Sequence, residues 1–324
     1  MDLLQPQLLI WLLLAVAIVL VFVTNTDSPP LVSDRGPLHQ PNPDQAQHYQ
    51  IQQAFYRRWL DAFFSQQKVR QLAWFSFAAS VVMALLLQRL APASFVALLF
   101  VFTLVFWLNK GKQRWQQVVR HSLVIVLSLL LSLHLLPGFE NWLQLEHIQL
   151  SEQSRPFSLY LNLDKPLVFF LLLLLLPDLT GRYQLNFGAS VQLLSISLLA
   201  IVVLSLLAVA LGFVALEWKL PDWWWLFALN NLLFTSVVEE AFFRGYLQRL
   251  CGEKTGPVVA ILLVALLFGL AHLAGGVWYA MLAGLAGIFY GYLYWRSGSL
   301  AVAVAGHFAV NLVHFLALTY PALR

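Results

Sequence analysis

"VVEEAFFRGYLQR", Val237 to Arg249, sets two adjacent carboxylates, Glu239 and Glu240, inside an apolar run long enough to enter a membrane. A charged side chain at the bilayer centre costs about 2.5 to 3.5 kcal/mol on insertion scales, so two in succession need either a partner or a chemical task. On a helix Glu240 and Arg244 lie at i and i+4 and share a face, whereas Glu239 is turned about 100° away. The spacing predicts an ion pair for Glu240 and an unpaired carboxylate at Glu239.

The surroundings of this stretch define the class. In 324 residues, 60% are hydrophobic and only 10% are charged, with a mean hydropathy of +0.75. Such a chain cannot cover itself with an ordinary soluble surface. Helices satisfy every backbone group within hydrocarbon, and about 20 apolar residues cross it. The expected fold is therefore all-α, a polytopic membrane helix bundle with the lipid bilayer as its solvent. Candidate spans lie at Leu8 to Val23, Leu72 to Leu87, Phe95 to Leu108, Ser122 to Leu136, Pro166 to Leu176, Val191 to Leu216, Trp223 to Arg249, Val258 to His272, Val277 to Trp295 and Leu300 to Leu318, ten in all. "PLVFFLLLLLL", Pro166 to Leu176, is too short to cross unaided and is the span on which the alternation of loops turns.

These runs divide the chain into an N-terminal transmembrane anchor (1–24), a polar linker with a short amphipathic helix "IQQAFYRRWLDAFF" (25–70), N-terminal transmembrane helices (71–185) and a C-terminal transmembrane domain (186–324). The first run lacks a basic leader and a small-residue cleavage site, and reads as a retained anchor. Arg57, Arg58, Lys68 and Arg70, then Lys110, Lys112, Arg114 and Arg120, then Arg182, Arg249, Lys254 and Arg296 fall in alternate loops. Basic loops stay in the cytoplasm, so both termini and the acidic segment with Glu140, Glu146 and Glu152 are expected to face outward from an inner cell membrane. The net charge of +4 is accounted for by these topology determinants. No nucleic-acid footprint is implied.

Two later spans carry further polar residues. "FGLAH" ends at His272, and "HFAVN" places His307 and Asn311 one helical turn apart on one face. At about 1.5 Å per residue from the basic ends, Glu239 lies roughly 15 Å deep, His272 roughly 22 Å, His307 roughly 10 Å and Asn311 roughly 16 Å, a common slab around the midplane. The run "GGVWYAMLAGLAGIFYG" supplies Gly276, Ala280, Gly284, Gly287 and Gly291, a small-residue seam along which membrane helices approach closely.

"EEAFFRG", "FGLAH" and "HFAVN", in this order on successive spans, resemble the signatures of the type II CAAX prenyl endopeptidases, also grouped as the CPBP or Abi intramembrane proteases. The resemblance covers roughly Val191 to Leu318. It implies an endopeptidase acting on a peptide or membrane-protein substrate, with Glu239 as general base, His272 holding and activating water, and His307 and Asn311 donating hydrogen bonds to an oxyanion. Glu240, Arg244 and Phe268 would form the structural surround. No serine or cysteine stands among these residues as a nucleophile, so direct attack by water is the simplest chemistry.

Other readings compete with this one. Zinc could use a glutamate with His272 and His307, although there is no H-E-x-x-H pair and the expected cofactor set is empty. A transporter would also bury Glu, His and Arg, but no inverted repeat is evident. A catalytically silent immunity or scaffold protein of the same fold would not need the full quartet. His314 reads as a packing residue, "PDWWW" at Pro221 to Trp225 as an interfacial aromatic belt, and Cys251 as an inert helix-end thiol; His134 has no assigned role.

Overall fold

The computed structural model describes residues 5–24, 66–181 and 187–324. The amphipathic helix expected at 51–64 and the basic residues Arg57, Arg58 and Arg182 lie outside them. Helices α1 (Gln7–Thr24), α2 (Gln66–Leu86), α3 (Pro92–Asn109) and α4 (Arg114–Ser132) come first. A hairpin of β1 (Trp142–Ile148) and β2 (Phe157–Leu161) and the short helix α5 (Leu167–Leu175) follow. Helix α6 spans Phe187–Ala210, and α7 is one continuous helical rod, Trp224–Thr255. The chain closes with α8 (Pro257–Ala271), α9 (Val277–Ser297) and α10 (Leu300–Ala317).

The chain is a multi-pass, predominantly helical membrane protein, with two departures from the all-α, ten-span expectation. Among the described residues seven helices are long and apolar enough to cross a membrane: α2, α3, α4, α6, α7, α9 and α10. Helices α1 and α8 are apolar but shorter. Pro166 to Leu176 does not form a span of its own. Its helix has 9 residues, a rise of about 13 Å against roughly 30 Å of hydrocarbon. Leu167 to Leu173 are all buried, so this run is apolar because it faces protein on every side. The second departure is the antiparallel hairpin, paired through Trp142 with Leu161 and Ile148 with Phe157.

Contacts group the chain into two units, Met1–Met83 and Ala84–Arg324. In the first, α1 and α2 are joined by the Ser76 hydroxyl donating to Leu13 O at 2.8 Å. In the second, short loops make neighbouring helices antiparallel, and α5 packs on α3, α4 and α7.

The second unit has two distinguishable ends. At one, Gly181 pairs with Ser299, Arg249 bonds Asp178 at 2.9 Å, and His121 bonds the Tyr246 hydroxyl at 2.7 Å. Described basic residues at this end are Lys110, Lys112, Arg114, Arg120, Arg249, Lys254 and Arg296, against Asp178 and Glu253. At the other end Leu90 pairs with Phe139, Ser154 with Leu323 and Leu216 with Leu318. It carries Arg89, Arg155, Lys219 and Arg324 against Glu140, Glu146, Glu152, Glu217 and Asp222. The chain leaves α4 at the second end and enters α6 at the first. After β2 the chain reaches Glu239 of α7 through Lys165 and Arg249 through Asp178, with α5 between them, so the loop alternation survives although Pro166 to Leu176 is not a full span.

Candidate active site

Helix α7 carries the paired carboxylates and is unusual in its backbone. "VVEE", Val237–Glu240, is a short α-helical segment between two π-helical stretches, Asn231–Ser236 and Ala241–Gln248. The Val237 amide bonds Leu232 O, five residues back. Such π turns occur mostly as local insertions and often at functional sites. Here the geometric effect is specific. Eight residues of regular α-helix leave about 80° between Asn231 and Glu239, and one extra residue in a turn removes about 100° of rotation, bringing both toward one face.

The expected ion pair of Glu240 is present: Arg244 Nη1 donates to Glu240 Oε1 at 2.8 Å, and both side chains are 0% exposed. His307 Nδ1 adds a second contact to the same oxygen at 2.7 Å. Arg244 Nη2 donates to Gly287 O at 3.0 Å, and its guanidinium lies 4.6 Å from the Phe268 ring centroid. Phe268 meets the rings of His272 and His307 as well, so it spaces the two histidines. The glycine seam explains how Arg244 fits. A Cβ on Gly287 would stand 3.1 Å from Ala265 Cα and 3.3 Å from Arg244 Nη2, and one on Gly269 would stand 2.8 Å from Ala280 O. Gly276 differs: it caps α9 at φ 102° with open space around it and is a turn residue.

Glu239 is not unpaired, which corrects the reading from spacing. Lys165, just before α5, donates from Nζ to Glu239 Oε1 at 2.8 Å, with the two side chains 14% and 16% exposed. Sequence reasoning missed it because an i, i+4 rule finds partners only along one helix, and Lys165 is 74 residues away. The signal that could have found it is a lone lysine at the edge of a run too short to span. Lys165 is seated in turn by Asp164, which is 1% exposed. Asp164 Oδ1 accepts from the Lys165 amide at 2.9 Å, and the carboxylate contacts His134 Nδ1 at 2.8 and 2.9 Å and Asn141 Nδ2 at 3.3 Å. His134, given no role from sequence, thus anchors the loop that carries Lys165.

The other oxygen of Glu239 faces both histidines. His272 Nε2 is 4.0 Å from Oε2 and His307 Nε2 is 3.9 Å from it. Oε2 is buried and has no hydrogen-bond partner among the described residues. Two groups that each bond one water at about 2.8 Å stand about 4 Å apart when the angle at the water is near 90°. His272 Nδ1 contacts Phe268 O at 2.8 Å. A carbonyl only accepts, so that nitrogen carries hydrogen and Nε2 of the neutral ring presents its lone pair to the site.

Asn311 is one turn beyond His307, and its Nδ2 donates to Asn231 Oδ1 at 3.1 Å. Asn231 Oδ1 also accepts from the Ser236 hydroxyl at 3.3 Å. Asn231 was not singled out from sequence, where it is an amide within the apolar run of α7 with no ionisable neighbour. Tyr290 stacks on His307 with centroids 4.6 Å apart and planes 10° apart, and Tyr279 meets His272 edge-on at 5.4 Å. His314 meets Tyr320, in keeping with a packing role. Glu239, His272, His307, Asn311 and Asn231 all line one cavity of about 540 Å³.

The donor set can be tested against zinc on geometry. Ligands about 2.0 to 2.1 Å from a tetrahedral ion lie about 3.3 Å from one another. Oε2 stands 3.9 and 4.0 Å from the two imidazole nitrogens, and the same carboxylate already holds an ammonium 2.8 Å away. Among the described residues no group of three His, Cys, Asp or Glu side chains is placed to hold one ion.

Residues 221–313 match the family model described as Type II CAAX prenyl endopeptidase Rce1-like. The matched segment begins just before α7 and ends within α10. It contains Glu239, Glu240, Arg244, Phe268, His272, His307 and Asn311, but neither Lys165 nor Asp164. No curated protein and no solved structure matches the chain.

Proposed function

Taking residues 221–313 as an Rce1-like domain of a protease family, carried by a multi-pass membrane protein, we propose that the chain is an intramembrane glutamic endopeptidase that cleaves by direct attack of water. Glu239 is the general base. The observation that carries this reading is the buried Oε2, facing His272 Nε2 and His307 Nε2 at one-water distance.

Lys165 occupies Oε1 and so directs proton acceptance to Oε2. A water shared by Oε2 and His272 Nε2 gives its proton to Glu239 as its oxygen attacks the peptide carbonyl carbon. The carbonyl oxygen becomes an oxyanion within reach of Asn311 Nδ2 and His307 Nε2. His307 donates from Nε2 only when both ring nitrogens carry hydrogen, and Glu240 is then the counter-ion at Nδ1. The proton on Glu239 passes to the leaving amine as the C–N bond breaks, leaving a carboxylic acid and an amine, between which the water's second proton is then exchanged, and restoring the base. Asn231 aims the Asn311 amide, and Arg244 with Phe268 holds Glu240 and both imidazoles in place. Preorganised donors in a dry site stabilise the oxyanion more than they would in water.

This chemistry uses no metal. Zinc bound by Glu239, His272 and His307 is the second reading, and it must displace Lys165 from the carboxylate. The test of function is comparative: membranes bearing the wild-type chain should accumulate cleaved fragments of a resident or secreted protein that are missing when Glu239→Gln replaces it. Identical fragment patterns in the two would refute the assignment.

A further inference from the structure

The cavity that holds Glu239 reaches only one end of the bundle. Its outer wall is built from the hairpin at Ser158, Tyr160 and Asn162, from Phe213 after α6, from Gly275 before α9 and from Tyr320 at the C-terminus. All of these belong to the end where Ser154 pairs with Leu323 and Leu216 with Leu318. None of the cavity's lining comes from the loops around Gly181, Lys254 or Ser299 at the opposite end. Below Glu239, toward that opposite end, the space is filled by the Glu240, Arg244 and Phe268 cluster and by the buried Gln248, which donates to Gly291 O at 2.9 Å.

The closed end is the basic one. Within the second unit it carries seven described Lys and Arg residues against four at the open end, where five acidic residues also stand. Short, Lys- and Arg-rich loops remain cytoplasmic. We infer that the site is open to the non-cytoplasmic face, and that its substrate is a polypeptide segment presented there: a secreted peptide or the juxtamembrane part of a membrane protein, not the C-terminus of a cytoplasmic protein. The cavity suits such a segment. Its wall mixes aromatic rings, Phe157, Phe227 and Tyr320, with the amides of Asn162 and Asn230, so apolar side chains and backbone groups both find partners.

This inference rests on the endopeptidase reading for the word substrate, but its geometry can be tested without activity. In a Cys251→Ser background, Thr235→Cys places a thiol one turn from Glu239 in the cavity wall, Ser158→Cys one at the rim and Lys254→Cys one at the basic end. A membrane-impermeant maleimide added to intact cells should label Ser158→Cys and Thr235→Cys and spare Lys254→Cys, which becomes labelled in inverted vesicles. Labelling of Lys254→Cys from outside, or of Thr235→Cys only in inverted vesicles, would overturn the inference. Total labelling after detergent solubilisation reports that each variant is present, and a single monodisperse peak on size exclusion in mild detergent reports that it is folded. Right-side-out and inverted vesicles are then given an impermeant quenched-fluorescent peptide library, with Glu239→Gln vesicles as the control. Cleavage from the outer face alone is expected, and cleavage only in inverted vesicles refutes the proposed access while leaving the peptidase reading intact. Outer-face maleimide access with no cleavage in either orientation refutes the peptidase reading and the substrate class with it.

Discussion

Lys165 Nζ stands 2.8 Å from Glu239 Oε1 across 74 residues of sequence. The contact ties the residue proposed as general base to a segment outside the matched 221–313. It also gives the two carboxylates of "VVEE" different partners: Glu240 has a guanidinium that is fully buried, and Glu239, in the wall of a cavity, has an ammonium.

Lys165→Met should therefore lower turnover more than substrate affinity, on the order of 10²-fold, as expected when a reacting group loses its fixed placement. Lys165→Arg should recover part of the loss. Steady-state kinetics on the purified protein would show it, and unchanged kcat in Lys165→Met would remove the lysine from the site.

The two glutamates should differ in what their loss does to the fold. Glu240→Gln strands Arg244, which is 0% exposed, and breaking a buried pair in this way costs about 3 to 5 kcal/mol. Glu239→Gln leaves an amide oxygen for Lys165 and borders the cavity, so its cost should be smaller while its activity is abolished. Thermal unfolding of both variants in one detergent provides the comparison; equal losses would contradict the division of roles.

Asn231 and Asn311 should behave as one unit. Asn311→Ala removes the proposed oxyanion donor and should cost on the order of 10² to 10³ in kcat. Asn231→Ala frees that donor without removing it, so a smaller loss is expected, and the double variant should fall no further than Asn311→Ala. Strict additivity in this double-mutant cycle would show that the two act separately.

Exhaustive chelation separates the two enzymatic readings. Activity that persists, with less than one zinc per chain by elemental analysis, is the expected result. Activity lost on chelation and restored by zinc would make His272 and His307 ligands.

Much of the site was legible in the sequence because its residues obey local geometry. Glu240 and Arg244 pair at i, i+4, His307 and Asn311 lie one turn apart, and short loops bring α7, α8, α9 and α10 together. Hydropathy was less reliable, because it measures apolar character and not what the apolar face meets. It therefore read α5, whose leucines meet other side chains, as it reads a lipid-facing span. Strand character in "WLQLEHI" and "FSLYL" was hidden by the same search for long apolar runs. Lys165 and Asn231 depend on depth and on a π-helical register, neither of which a spacing rule contains.

Helix α5 also bears on how the protein is made. Nine residues, eight of them buried, are too few to be held across a bilayer by lipid, and the α7 surface they pack on is synthesised about 60 to 80 residues later. While the chain is still being inserted, this segment has no stable resting place. The site that depends on Lys165 is therefore completed late, by tertiary docking after the C-terminal helices have entered, and cutting the chain between α5 and α6 should yield two halves that regain the site only when produced together.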